Sequence, residues 1–230
     1  MASRTLARLL VPLALVLAGG APLKAQNVVL DEGTFRLASG GTEIGSETFT
    51  IRRVGQGAEA HVIANALIEL ELPSGHEQVK PLLRTAPDLS VSAYQLEVSG
   101  RQPTEIAVTL NGRRFVARTR TPSGEQEREF RASPGAVVLE DGVAHQYWFL
   151  SKLAEGTDVT VLVPRSGSQN RVVVRASRPE TLELSGATLP ATHATFAIDG
   201  GVHEVWFDAD GRVLKVLVPA TGFSAERTSR

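Results

Sequence analysis

The sequence contains no cysteine, and this absence removes several kinds of chemistry at once. No disulfide can cross-link the fold, no thiolate can bind a metal ion or attack a substrate, and no cysteine can carry a lipid anchor. A chain of 230 residues can do without disulfides, because a domain of this size buries about 70% of its unfolded surface. We therefore expect packing and hydrogen bonds alone to hold the fold.

The common catalytic and nucleotide-binding motifs are also missing from the sequence. There is no Gly-x-Ser-x-Gly elbow, no His-Glu-x-x-His pair, no P-loop and no dinucleotide glycine fingerprint. The Asp208-Ala-Asp-Gly211 segment lacks the other ligands of a calcium loop, which favours a hairpin turn. We expect no cofactor and no metal, and a non-enzyme rather than an enzyme.

Positive charge is not in surplus. The chain has 24 basic and 25 acidic residues, and three of the basic ones lie in the first 25 residues. This balance argues against a nucleic-acid-binding protein. Arg114, Arg118 and Arg120 share one face of a predicted strand, where they are either a solvated surface or a patch for an anionic ligand.

Residues 1–25 have the three parts of a secretory signal. Arg4 and Arg8 precede an apolar run that ends at Ala21, and Ala25 supplies the small residue at the cut. The run is shorter than the roughly 20 residues that span a bilayer. We expect an exported protein, periplasmic or extracellular, with no transmembrane segment in its mature form.

Turn signals separate short β-branched segments along the rest of the chain. Asn111-Gly112 is the strongest two-residue hairpin signal, because a type I′ turn needs positive φ at both positions. For that reason we expect Gly112→Val to destabilise the fold more than Gly167→Val. Short connections favour antiparallel strands. The pattern predicts an all-β, mainly antiparallel curved sheet or half-barrel meander over residues 26–219, as a single domain, with a flexible tail over residues 220–230.

One segment departs from the strand pattern. Val143, Tyr147, Leu150 and Ala154 have the spacing of a helical face, and glycines precede and follow the stretch. We therefore predict a short helix near residues 145–155, packed on the sheet or filling one end of it.

The last strands are apolar at both parities, which indicates that both of their faces are covered. Either they form a central strand pair, or one face lines an apolar ligand cavity. For the second alternative we assign a ligand-binding site to the bulky aromatic residues of the helix and the final hairpin, namely Trp148, Phe149, Trp206 and Phe207.

The five histidines form no metal-binding pattern. His193 and His203 could face each other across the Asp199-Gly200 turn, which would make a pair and not a complete site. His145 precedes the predicted helix, where it is either a buried hydrogen-bonded residue or a base in a cleft.

Three segments resemble a group of uncharacterised bacterial exported proteins. The opening is residues 35–49, FRLASGGTEIGSETF, the middle is residues 137–142, VVLEDG, and the end is residues 205–216, VWFDADGRVLKV. These domains of unknown function are related in fold to the periplasmic lipoprotein carriers. The resemblance implies a curved antiparallel sheet with a helix on its concave side. It transfers no catalytic residue, and the lipoprotein cysteine is absent.

We expect an exported, non-enzymatic protein that binds an apolar or amphipathic, lipid-like ligand in the cell envelope. Two alternatives remain open. One is a structural or assembly factor that acts through protein contacts, and the other is a hydrolase with an unrecognised site near His145.

Overall fold

The computed structural model describes residues 27–229, and most of the regular structure in them is β-strand. The predicted signal at residues 1–25 lies outside the described residues. The strands are β1 (Asn27–Ser39), β2 (Thr42–Val54), β3 (His61–Leu72), β4 (Gly75–Thr85), β5 (Val91–Ser99), β6 (Thr104–Asn111), β7 (Arg114–Thr121), β8 (Gly124–Arg131), β9 (Val137–Val138), β10 (Asp158–Val163), β11 (Ser168–Leu184), β12 (Ala187–Ile198), β13 (Gly201–Phe207), β14 (Val213–Val218) and β15 (Phe223–Ser229). Two 3₁₀ helices cover Gly57–Glu59 and His145–Leu150. The all-β prediction is confirmed.

These strands form one sheet built from two meanders. Strands β1 to β8 lie side by side in chain order, as do β9 to β15, and the pairing of β1 with β15 joins the two halves. Among the strand pairs of residues 27–229, only β9 and β10 run parallel to each other. Local hairpins therefore build most of the sheet, and its two ends are β8 and β9.

One face of the sheet packs against a segment that we call the plug, residues 136–150. Apart from Asp141 and Gly142, every residue of the plug is buried. Its apolar side chains belong to the same cluster as Phe35, Ile51 and Leu96 of the sheet. We call this the inner face, and alternation along each strand sends the intervening residues to the outer face.

The predicted helix at residues 145–155 is shorter and tighter than expected. It is a 3₁₀ helix that ends at Leu150, with Tyr147 N–H donating to Ala144 O at 3.2 Å. All six of its side chains are buried, whereas an amphipathic α-helix would keep one side wet. The spacing predicted an amphipathic helix, but the segment is inserted into the core and forms a short 3₁₀ helix that is buried on all sides.

The prediction of a flexible tail at residues 220–230 was wrong. Residues 223–229 form β15, which pairs with β1 on one side and β14 on the other. Ala225 and Arg227 point inward and are buried, and Arg227 donates to both oxygens of the buried Asp31 carboxylate at 2.8 and 2.9 Å. The segment is polar in composition, and one of its two partner strands, β1, lies at the other end of the described chain, so the local pattern did not indicate a strand.

Within residues 27–229, no helix combines the length and the apolar character that crossing a bilayer would need.

Candidate functional site

The four residues of the predicted ligand site do not come together. Trp148, Phe149 and Phe207 are buried in the main core, where the Trp148 and Phe149 rings pack edge to face at 5.1 Å. Trp206 belongs to a separate cluster on the outer face. Trp206 and Phe207 are consecutive strand residues, so their side chains point to opposite faces. Parity alone could have shown that they do not line one pocket.

Trp206 is covered by the long hairpin of β11 and β12. Its ring stacks on His193 with centroids 4.3 Å apart, and its indole N–H donates to Glu180 Oε1 at 3.1 Å. Leu182 and Leu214 complete the apolar contact around it. Trp206 therefore packs the β11–β12 hairpin against β13 on the outer face and does not line an interior cavity.

His145 is an anchor of the plug. Its Nδ1 lies 2.6 Å from Glu47 Oε1, and the backbone N–H groups of Ala144 and His145 donate to the same carboxylate at 2.7 and 2.8 Å. His145 and Glu47 are both buried, and the imidazole stacks on Phe49. Of the two alternatives left by the sequence, the geometry matches the buried hydrogen-bonded histidine, because the imidazole and its carboxylate partner are both enclosed in the core.

His193 and His203 do not face each other. The register places His193 opposite Trp206 and His203 opposite Phe196. His203 Nδ1 lies 2.6 Å from the Tyr147 hydroxyl, and burial lowers the pKa of His203. No group of three or more His, Asp or Glu side chains in residues 27–229 has the arrangement that holds a metal ion.

An open groove of about 880 Å³ lies on the outer face of strands β2 to β8. Cross-strand pairing aligns Thr50, Asn65, Leu82 and Gln95 in one row, so all four side chains point into the groove. Thr48 and Leu67 pair in the neighbouring row. Leu67 and Leu82, both in the groove lining, are each 38% exposed. The floor therefore combines exposed apolar groups with neutral hydrogen-bonding side chains.

Ion pairs also line the groove. Arg120 lies 3.5 Å from Glu105 and 3.4 Å from Glu125, and Lys80 lies 3.8 Å from Glu97. Arg118 also lines the groove and is paired at 2.8 Å with Glu127, which lies outside the lining. These carboxylates neutralise the predicted arginine face, so the solvated alternative fits better than an anion-binding patch. The groove is amphipathic without a dominant sign of charge.

Sequence reasoning missed the groove because its residues come from seven strands over 78 positions of the chain. The sequence did carry one signal for the groove. Leu67 and Leu82 occupy strand positions that face solvent, between residues that are buried. Neither residue appears near a recognisable motif.

Comparison with known proteins gives one structural likeness. No family model and no curated protein matches the chain. Among solved structures, it is similar to a β-barrel-like protein of a domain of unknown function, DUF1849, from Brucella abortus, with a TM-score of 0.49 and 10% identity. The alignment covers 86% of this chain and 95% of the Brucella chain.

Proposed function

We propose that the protein is an exported, non-enzymatic binding protein that takes an elongated amphipathic ligand in the outer groove of β2 to β8. The observation that carries this proposal is the exposure of Leu67 and Leu82 on the floor of a groove of about 880 Å³. Adjacent apolar and polar groups in a concave surface are the usual recognition chemistry for such ligands. Export rests on the leader at residues 1–25.

The inner face is a poor alternative site. Trp148, Phe149 and Phe207 are each at most 8% exposed and pack in the same cluster as the plug. A ligand there would first have to displace the plug together with its hydrogen bonds to Glu47. The outer groove needs no such rearrangement.

Two matched leucine variants test the proposal. Leu82→Arg places a charge on the groove floor, whereas Leu110→Arg places the same charge on a leucine of similar exposure outside the groove lining. We expect dansyl-undecanoic acid to bind the wild type saturably and Leu82→Arg at least tenfold more weakly. Leu110→Arg should bind like the wild type. Equal affinity for all three proteins, or no binding to the wild type, would overturn the proposal.

A protein partner is a second candidate for the same molecule, in line with an assembly role. The observation that favours it is the edge strand β8, which pairs only with β7 and is exposed except at Phe130. Affinity purification from the cell envelope under mild conditions tests it, with a stoichiometric partner as the expected result and a lone monomer as the opposing one.

A further inference from the structure

The turn at residues 164–167, which we call the closing turn, joins β10 to β11 and brings the two ends of the sheet together. The Gln169 side-chain amide next to it accepts from the Arg131 N–H at 3.3 Å and donates to the Arg131 C=O at 2.7 Å. Arg128 of β8 donates to Gly167 O. We call this junction between β8 and the closing turn the seam. Side-chain contacts close it, whereas in a complete barrel the two end strands of the sheet would pair with each other through backbone hydrogen bonds.

Glu140 ties the closing turn to the plug. Its buried carboxylate accepts the backbone N–H of Arg165 at 3.1 and 3.3 Å. Its own N–H donates to Gln146 Oε1, in the 3₁₀ helix, at 2.6 Å. Glu140 thus links three parts of the molecule through its backbone and its side chain: the loop after β9, the 3₁₀ helix and the closing turn.

The groups that face Glu140 compensate its charge only in part. Arg165 supplies a guanidinium whose Nε lies 4.0 Å away, but Arg165 also pairs with Glu77 of β4 at 3.6 Å. Asp141 of the same loop adds negative charge, and Tyr94 of β5 presents a buried neutral hydroxyl whose pKa is raised well above its usual value. Loss of solvation outweighs these contacts and raises the pKa of Glu140 to about 7.

We propose that protonated Glu140 keeps the seam closed, and that its ionisation releases the closing turn and the adjoining part of the plug together. The physical reason is that an ionised carboxylate enclosed in the core recovers its hydration only when this region opens. Protonated, the same group remains buried at little cost.

The direction of the pH dependence follows from linkage. The closed state binds the proton more tightly than the open, solvated state does, so closure is favoured at low pH and weakens as the pH rises towards 7. With a pKa of about 7 when closed and the ordinary 4.5 when open, the opening equilibrium grows about tenfold between pH 6 and pH 8. Above about pH 8 it levels off.

Hydrogen exchange measured by mass spectrometry at pH 6, 7 and 8 tests the proposal. Wild type and Glu140→Gln are compared at each pH, so the intrinsic pH dependence of exchange cancels. We expect the exchange rate of peptides from residues 139–150 and 161–169 to rise about tenfold relative to the variant. Glu77→Gln, which removes the outer partner of Arg165, should keep the pH dependence.

Peptides from β12 to β14 serve as an internal reference in every sample, which also covers a variant that folds poorly. In the wild type, the ratio between closing-turn and reference peptides should itself rise with pH. A ratio that is constant with pH, or a loss of protection shared by the whole sheet, would overturn the proposal.

Discussion

At the residue scale, buried polar groups hold the inner face together. Glu47 receives three hydrogen bonds from Ala144 and His145, about one hundred positions away in the chain. The sequence could flag His145 as a buried hydrogen-bonded histidine, because it adjoins an aromatic segment. It could not name Glu47 as the partner, since a strand pattern does not show which distant segment packs against an inward carboxylate.

Glu47→Gln should lower the free energy of unfolding by about 3 kcal/mol. The amide keeps one acceptor oxygen but turns an NH₂ group towards backbone donors, which leaves buried N–H groups unpaired. Urea unfolding at pH 7 measures the loss. Glu127→Gln, which alters an exposed ion pair with Arg118, should leave the midpoint nearly unchanged. Equal midpoints for the two variants would show that Glu47 does not anchor the plug.

At the element scale, hairpins were predictable and insertions were not. The hairpin forms where the Asn-Gly signal predicts one, but its turn lies one residue later than expected. Asn111 ends β6 and pairs with Arg114, so the two turn residues are Gly112 and Arg113, and Gly112 has positive φ whereas Asn111 does not. Asp199 and Gly200 both adopt positive φ between β12 and β13, as a type I′ turn requires. These turns are decided by local φ preferences. The shortened helix and the strand β15 depend on burial against distant elements, and a local pattern carries no such information.

The structure changes the expected ranking of two glycines. Gly112 and Gly167 have φ of 59° and 62°, so a side chain is strained at either position. A Cβ at Gly112 would meet open space, whereas a Cβ at Gly167 would lie 2.6 Å from a guanidinium nitrogen of Arg128. The Arg128 guanidinium is the exposed end of a flexible side chain and can move aside, so the positive φ dominates at both positions, and Gly167→Val should lower the melting temperature about as much as Gly112→Val. A larger loss for Gly112→Val in parallel thermal melts would restore the ranking that the sequence suggested.

At the scale of the whole molecule, the joining of the first and last strands governs the architecture. Antiparallel meanders follow from short connections, so the fold class could be predicted. The pairing of β1 with β15 brings together residues about 190 positions apart, as in the contact of Arg36 with Glu226. The groove arises only once β2 to β8 lie side by side, which is why no single segment predicted it.

The compartment of the mature protein remains a prediction from residues 1–25. Protein recovered from the envelope or medium should begin near Gln26, because the apolar run and Ala25 define the cut. N-terminal sequencing of the exported fraction measures this. Recovery of a chain that still begins at Met1 would contradict export by signal cleavage.

The central claim is that the ligand binds the outer groove while the inner face stays packed. Methyl-selective NMR during titration with lauric acid below its micelle concentration tests this claim most directly, because both faces carry leucines. The account predicts saturable shift changes at Leu67 and Leu82 and unchanged signals from Leu150 and Leu162, which are buried in the core. Shift changes centred on Leu150 and Leu162, with Leu67 and Leu82 unaffected, would contradict it.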